Sequence, residues 1–326
     1  MTTPLVEAEV IEAAVESACR APSQHNSQPW QWVFSSGELR LFLDPSRVMD
    51  TDQSAREALI GCGAALDHLR VAMAAAGWRA HVDRFPNLDN QNHLASIHFT
   101  PIEYMTERDR RRASAIWERH TDRLPFSAPT DWKSFEPVMS SSVDGGAIHI
   151  NIIPEDLRPR LVEAAQMAES LRLYDTSYHD ELHWWTAPFE AAEGIPHSSL
   201  VSAAESDRVG VGRVFPVVGR PERRTEISED HSMILVLSTD HDSRADALAS
   251  GEALSATLLE CTMAGFATCP VTNSTEHEAT RDLVRSLMDH DAVPQVLVRV
   301  GVVPVAEKAP RPTPRRPLSE VLRLRA

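Results

Sequence analysis

The sequence predicts an α+β protein made of two diverged copies of one unit. The first observation behind this is an internal similarity: Gly63-Ala64-Ala65-Leu66 and Gly251-Glu252-Ala253-Leu254 each open the body of a long helix, and 14 positions on each is followed by a Gly-aromatic pair, Gly77-Trp78 and Gly265-Phe266. The second is context, since both helices follow apolar strands and lead into further strand-like segments. Two copies on one chain can pack as the subunits of a symmetric dimer do; chance likeness between two Ala-rich helices is the alternative. The division falls near residue 104, giving halves 1–104 and 105–326.

In order along the chain, residues 5–20 carry a helical apolar stripe (Leu5, Val6, Ala8, Val10, Ile11, Ala14, Val15, Ala18) with glutamates opposite. Trp30–Phe34 and Leu39–Leu43 alternate as two strands around a Ser-Ser-Gly turn. Ser54 to Ala76 is a long helix stopped by Gly77. Trp78–Arg84 and His93–Thr100 read as strands, and Met105 to Arg119 as a basic helix with Arg108, Arg110, Arg111 and Arg112 on a solvated face. Ala147–Ile153 is a strand and Pro154–Leu173 a helix. Residues 174–231 form a long irregular insertion with Tyr174, Tyr178, Trp184, Trp185, Pro188, Phe189, Pro196 and Phe215. So aromatic a segment is expected to be ordered, as a lid or as an outer layer of the core. Ser232–Thr239 is a buried strand, Arg244–Ala264 a helix, Phe266–Thr272 a short segment broken by Pro270, Glu276–Met288 a helix and Pro294–Val303 the last strand before a Pro/Arg-rich tail.

The 326 residues suffice for a large core, and 42% hydrophobic with 24% charged residues is the balance of a globular protein. A net charge of −15 argues against nucleic acid or anionic lipid as partner. The apolar run Ala58–Trp78 is interrupted by Asp67, His68 and Arg70, so no membrane span is expected. No secretory signal is visible, and Cys19, Cys62, Cys261 and Cys269 lack metal-ligand spacing, which together predict reduced thiols and a cytoplasmic location. From Glu307 onward six basic residues face two acidic ones, a net +4 against −19 for the remainder; a basic tail could bind a small anion or dock on the acidic body.

The densest polar stretch is Ala21-Pro22-Ser23-Gln24-His25-Asn26-Ser27-Gln28-Pro29-Trp30. Pro22 stops the first helix and Pro29 forces residue 28 out of helical geometry, leaving side chains that no regular ladder uses. A capped helix end followed by a turn would explain it without any function. Other motifs carry less. His179 and His183 stand one helical turn apart, but Glu does not follow the first and no third ligand presents itself, so no metal is expected. Gly210-Val211-Gly212 lacks the third glycine of a dinucleotide loop, and no Gly-x-Ser-x-Gly element occurs.

Four fragments in order give the chain a resemblance to the flavin-dependent nitroreductase family, and within it to the Acg-type fused proteins of actinobacteria. Ala21-Pro22-Ser23-xx-Asn26-x-Gln28-Pro29-Trp30 is similar to a family segment that reaches across a dimer to FMN held mainly by the other subunit. Arg119-His120-Thr121-Asp122-Arg123 resembles the Arg-x-Ser-x-Arg/Lys signature, whose first Arg and hydroxyl bind the FMN phosphate and whose later cation lies near the flavin pyrimidine. Gly265 to Thr272 resembles a Gly-Leu-Gly-Thr-Cys-Pro-Ile stretch whose continuation supplies a backbone N–H near flavin N5. Val300–Pro304 and Arg315-Arg316-Pro317-Leu318 are similar to the closing strand and phosphate-binding tail.

The resemblance implies a three-layer αβα nitroreductase fold in two fused halves, with FMN as cofactor. Pro22, Ser23, Gln24, Asn26, Arg119, His120, Thr121, Arg123, Pro270, Val271, Thr272 and Arg315 or Arg316 would be the cofactor-binding residues. No side-chain nucleophile is implied, because the flavin carries the hydride beside the backbone of Val271 and Thr272. The partners would be small-molecule electron donors and acceptors, NAD(P)H and nitro or quinone compounds, with the chain a monomeric pseudo-dimer or a homodimer. The alternative is a non-catalytic protein that sequesters FMN beneath the lid. A structural interaction protein using the aromatic insertion is a more distant reading. The motifs are divided between the halves, which implies one complete FMN site per chain.

Overall fold

The computed structural model describes residues 5–143, 148–187, 193–216, 219, 221–305, 307 and 310–325. Helix α1 (Ala8–Ala18) buries Ile11, Ala14, Val15 and Ala18, a stripe at helical spacing. Strands β1 (Trp30–Ser35) and β2 (Glu38–Leu43) form a hairpin in the register Trp30↔Leu43 to Ser35↔Glu38. Its turn is Ser36-Gly37, both left-handed (φ 52 and 77), which matches the twist of the flanking strands. Helix α2 (Arg56–Ala75) leads to β3 (Trp78–Arg84) and β4 (His93–Pro101). By composition α2 is long and apolar enough to cross a membrane, yet 78% of its apolar window is buried within the protein.

The second half opens with α3 (Glu107–Glu118), fixed at its start by a Thr106–Asp109 capping box. It continues through α4 (Trp132–Ser142), β5 (Ile148–Ile153), α5 (Arg158–Leu171), α6 (Thr176–Trp185), α7 (Ala203–Val209), β6 (Met233–Thr239), α8 (Arg244–Met263), β7 (Ala267–Val271), α9 (Glu278–Arg285) and β8 (Val293–Gly301). A last turn, α10 (Leu318–Val321), delivers β9 (Leu322–Arg325).

The two sheets repeat one topology. The first runs β3-β4-β2-β1-β9 and the second, from its opposite edge, β7-β8-β6-β5; apart from β9 all pairings are antiparallel. Each sheet thus has two strands, a 20-residue helix and two strands, in one spatial order. Helices α2 and α8 cross at the glycines of the sequence repeat. A Cβ on Gly63 would lie 2.0 Å from the Leu248 carbonyl oxygen, and one on Gly251 2.0 Å from that of Ile60. Backbones this close admit only glycine.

The sheets differ in how they are covered. In β1 burial alternates, with Trp30 and Trp32 inward, so one face is packed. In β8 residues Pro294 to Gly301 are all buried, because the second sheet lies between α8 on one face and α5 and α9 on the other. β9 pairs in parallel with β1, so residues 322–325 add an edge strand to the sheet built by β1 to β4.

Three segments depart from the expectation. The insertion at 174–231 is in part regular: α6 is capped by Asp175 accepting from the Tyr178 N–H, and α7 by a Ser202–Glu205 capping box. Only Tyr178 and Leu182 of α6 are buried, too short a stripe to read as a period. α4 carries Pro137 inside it, which hides a helix from any pattern search. The helix expected from Glu276 starts two residues later, behind a 3-10 turn at Asn273–Thr275. Pro188 and Phe189, read as part of a lid, lie outside the described residues. All four cysteines are buried and unpaired, and burial pushes the Cys19 thiol up to about 12.

Candidate functional site

The polar decapeptide folds as a strained turn. His25, Asn26 and Gln28 all adopt left-handed backbone (φ 50, 62 and 53), a costly state for residues other than glycine. The surroundings hold it there. The Gln28 N–H donates to Ser23 Oγ (3.0 Å), Asn26 Nδ2 donates to the carbonyls of Gly194 (3.1 Å) and Pro314 (3.2 Å), and the Arg316 N–H donates to Gln28 Oε1 (2.9 Å). The basic tail and the insertion therefore both clamp the front turn.

Beside this turn three guanidinium groups converge. Arg119 caps α3; its Nη2 donates to the Arg20 carbonyl (3.3 Å), while its Nε and Nη1 are buried without a partner. Arg315 donates to the carbonyls of Cys19 (2.8 Å) and Arg20 (3.1 Å), and Arg20 to that of Thr313 (3.0 Å) while standing 5.7 Å over Trp117. Among the described residues none of the three has a carboxylate within ion-pair distance. Burial and mutual repulsion push Arg119 down to about 10 and Arg315 to about 9, and burial lowers Arg20. These groups, with Asn26, His120 and Thr313, line a cavity of about 410 Å³.

A second cavity of about 320 Å³ adjoins it, sharing the walls Pro22, Ser23, Thr121 and Arg123. One wall comes from the front half: Gln24, His25 and the α2 residues Glu57, Ile60 and Gly61. The facing wall comes from the back half, Cys269 to Thr272 at the end of β7. Pro270 is tolerated because β7 is an edge strand. A bridge between Thr121 and Thr268, with the Asp122 N–H donating to the Thr268 carbonyl (2.9 Å), sets the Arg119–Arg123 stretch against β7. The third wall belongs to the insertion. Phe215 lies 5.1 Å from the Arg123 guanidinium and meets the His25 ring edge-on at 6.1 Å. Arg123 has no carboxylate partner among the described residues, since Asp122 is turned away onto Arg224 (2.6 Å).

No protein-family model matches the chain. A Mycobacterium tuberculosis protein named "Putative NAD(P)H nitroreductase acg" is 56% identical over 327 residues, spanning 100% of this chain and 99% of that protein. The chain belongs to the nitroreductase family. A second M. tuberculosis protein carrying a nitroreductase name is 34% identical over 326 residues, spanning 99% and 93% of the two chains. Among solved structures, the FMN and NADPH-dependent nitroreductase NfnB from Sphigopyxis sp. strain HMH matches 66% of this chain and 99% of its own at 13% identity, with a TM-score of 0.42.

In this nitroreductase-family chain, the residues singled out by sequence divide into three groups. Asn26, Arg119, His120 and Arg315 line the arginine cavity, Gln24, Pro270, Val271 and Thr272 line the second, and Pro22, Ser23, Thr121 and Arg123 line both. Arg316 lines neither: its guanidinium donates to the Gln28 carbonyl (3.2 Å) and faces Asp44 (3.7 Å), so of the two tail arginines Arg315 is the one in the cavity.

Sequence reasoning missed Arg20, Glu57 and Arg213, and named Phe215 only as one of the insertion's aromatics. Arg20 stands next to the decapeptide and was legible as the last cation of the first helix; Arg213 and Phe215 sit in a segment whose position no motif fixes. Also missed was Glu276, whose carboxylate accepts from Gln24 Nε2 (3.0 Å), Thr272 Oγ1 (2.8 Å), Arg172 Nη2 (2.9 Å) and Arg213. The two guanidinium groups hold its carboxyl down to about 2 despite burial.

Proposed function

We propose that the chain is an FMN-dependent oxidoreductase of nitroreductase type with one flavin site per chain. The observation that carries this is the pair of adjoining cavities between the halves, one walled by the buried Arg119 and the half-buried Arg20 and Arg315, which no carboxylate neutralises among the described residues. An unpaired buried guanidinium is costly, and a bound dianion would repay that cost. The Nε and Nη1 of Arg119 are buried donors without an acceptor, and phosphate oxygens would supply charged ones. The donor set therefore fits a flavin mononucleotide. Arg119, Arg315, Arg20 and the Thr121 hydroxyl would hold the phosphate. Pro22, Ser23, Gln24 and Pro270–Thr272 would enclose the ring, with Arg123 as the cation beside it. When bound, FMN supplies the hydride-accepting centre, and the protein binds, orients and excludes water around it.

The names of the M. tuberculosis relatives supply NAD(P)H as the proposed electron donor and nitro compounds as proposed acceptors; quinones are proposed beside them as acceptors that a reduced flavin also serves. A single site per chain is supported at the repeat's own offset. There Thr272 corresponds to Arg84, whose guanidinium is clamped bidentately on Glu252 (2.7 and 2.7 Å). The four buried, unpaired cysteines agree with a reducing, cytoplasmic location.

A second reading is favoured by Phe215. Packed against both His25 and Arg123, it closes the ring cavity from the insertion side, as a protein that holds flavin without turning it over would require. The absorption spectrum of the purified protein tests the first claim: bound flavin in a 1:1 ratio is expected, and a colourless protein that takes up no added FMN would refute it. Anaerobic NADPH then separates the two readings. Bleaching supports the enzyme; bleaching by dithionite alone supports sequestration.

A further inference from the structure

The Glu276 carboxylate lies at the junction of four elements. Gln24 belongs to the front turn and Thr272 to the end of β7, so two of its donors come from opposite walls of the ring cavity. Arg172 ends α5 and stacks 4.4 Å over the Tyr178 ring of α6. Arg213 lies in the loop after α7, two residues from Phe215, and donates to both Glu276 and the Tyr178 hydroxyl (2.9 Å). The side chains of Glu276, Arg172 and Arg213 are each less than a tenth exposed. Two weaker ties hold the same loop: Asn273 Nδ2 donates to the Gly212 carbonyl (2.9 Å), and the Val214 N–H to Glu169 Oε1 (3.2 Å).

We propose that Glu276 is a positioning residue that latches segment 210–215 across the ring cavity, so that flavin entry and access to its ring require this one carboxylate to release Arg213. Its charge is what makes the latch tight. Without it Arg172 and Arg213 would be two buried cations facing each other, and Arg213 could escape only by carrying its loop outward. The walls would loosen at the same moment, because Gln24 and Thr272 lose their common acceptor. Glu276 touches no reacting atom; it acts through the loop that bears Phe215. What passes through the gate rests on the flavin reading, whereas the latch itself does not.

The test uses the full chain as Glu276→Gln, Arg213→Met and Arg213→Lys, read first by hydrogen exchange without flavin. Glu276→Gln and Arg213→Met should each raise exchange of 210–215 and of α6 roughly tenfold while α2 and α8 keep their protection. Arg213→Lys should restore part of the protection. With FMN added, the rate of fluorescence quenching should rise by a similar factor in the two releasing variants. Unchanged exchange at 210–215 in Glu276→Gln overturns the latch, and so does a uniform loss of protection across the chain, which marks Glu276 as ordinary fold glue. A wild type that takes up no FMN defeats the flavin reading alone, since the exchange measurements still decide the latch.

Discussion

Two kinds of buried or half-buried arginine occupy this protein. Arg299 is enclosed with Asp230, to whose carboxylate it donates at 2.7 and 3.2 Å, while Arg158 and the Ser232 hydroxyl (2.5 Å) reach the same group. Arg224 on Asp122 and Arg172 with Arg213 on Glu276 repeat that pattern. Arg20, Arg119 and Arg315 lie close together with carbonyl oxygens as their only acceptors among the described residues. The first kind is closed: charge meets charge, and the cations are stabilised, Arg299 above its ordinary value. The second is open, its guanidinium groups destabilised by burial and by one another. Such an excess of positive charge is what the proposed anion would complete.

Breaking the closed kind should have the largest effect. Asp230→Ala strands Arg299, while Arg158 keeps Glu155 (2.8 Å), and should cost about 3–5 kcal/mol of stability in urea unfolding. Arg119→Ala should behave oppositely in the protein without ligand. Its unfolding midpoint should hold or rise, while FMN affinity in a fluorescence titration falls by about 1.5–3 kcal/mol. An apo-protein loss as large as that of Asp230→Ala would erase the distinction between the two kinds.

Inorganic phosphate, a minimal occupant for the open cluster, should stabilise wild type by about 1.4 kcal/mol at ten times its dissociation constant. The same titration of Arg119→Ala or Arg315→Ala should show no shift in melting temperature, and an equal shift in all three proteins would place the anion elsewhere.

Mild acid sharpens the comparison from the closed side. The folded carboxyl of Glu276 sits near 2, below its ordinary value of 4.5, so its stabilisation is whole above 4.5 and is lost as pH falls from there towards 2. The gap in melting temperature between wild type and Glu276→Gln should therefore be constant from neutrality to about pH 5 and narrow below that. A gap that persists undiminished at pH 3 would mean the carboxylate is not what holds the cluster.

Much of the fold was readable along the chain, because periodicity is a local property. The alternation in Trp30–Phe34 and Leu39–Leu43, the long helix stopped by Gly77, and the pairing of Gly63 with Gly251 were all legible, and the last marks where two backbones touch. Less legible were α6, which buries only two side chains, and α4, which tolerates a proline. Within the candidate site, Arg119 and Arg123 stood out through their resemblance to a family signature, and Arg315 and Arg316 through the tail. Arg20 and Glu276 carry no motif, and Arg315 could not be told from Arg316 until the backbone turned one towards the cavity and the other towards Asp44.

By itself, then, the order of residues determined the repeated strands and long helices and the stretches where polar side chains are concentrated, since each depends on neighbours a few positions away. Only the tertiary structure decided which arginines are neutralised and which are left open. That depends on whether a carboxylate such as Asp230 or Glu276 arrives from a distant part of the chain, and burial makes its presence or absence energetically decisive.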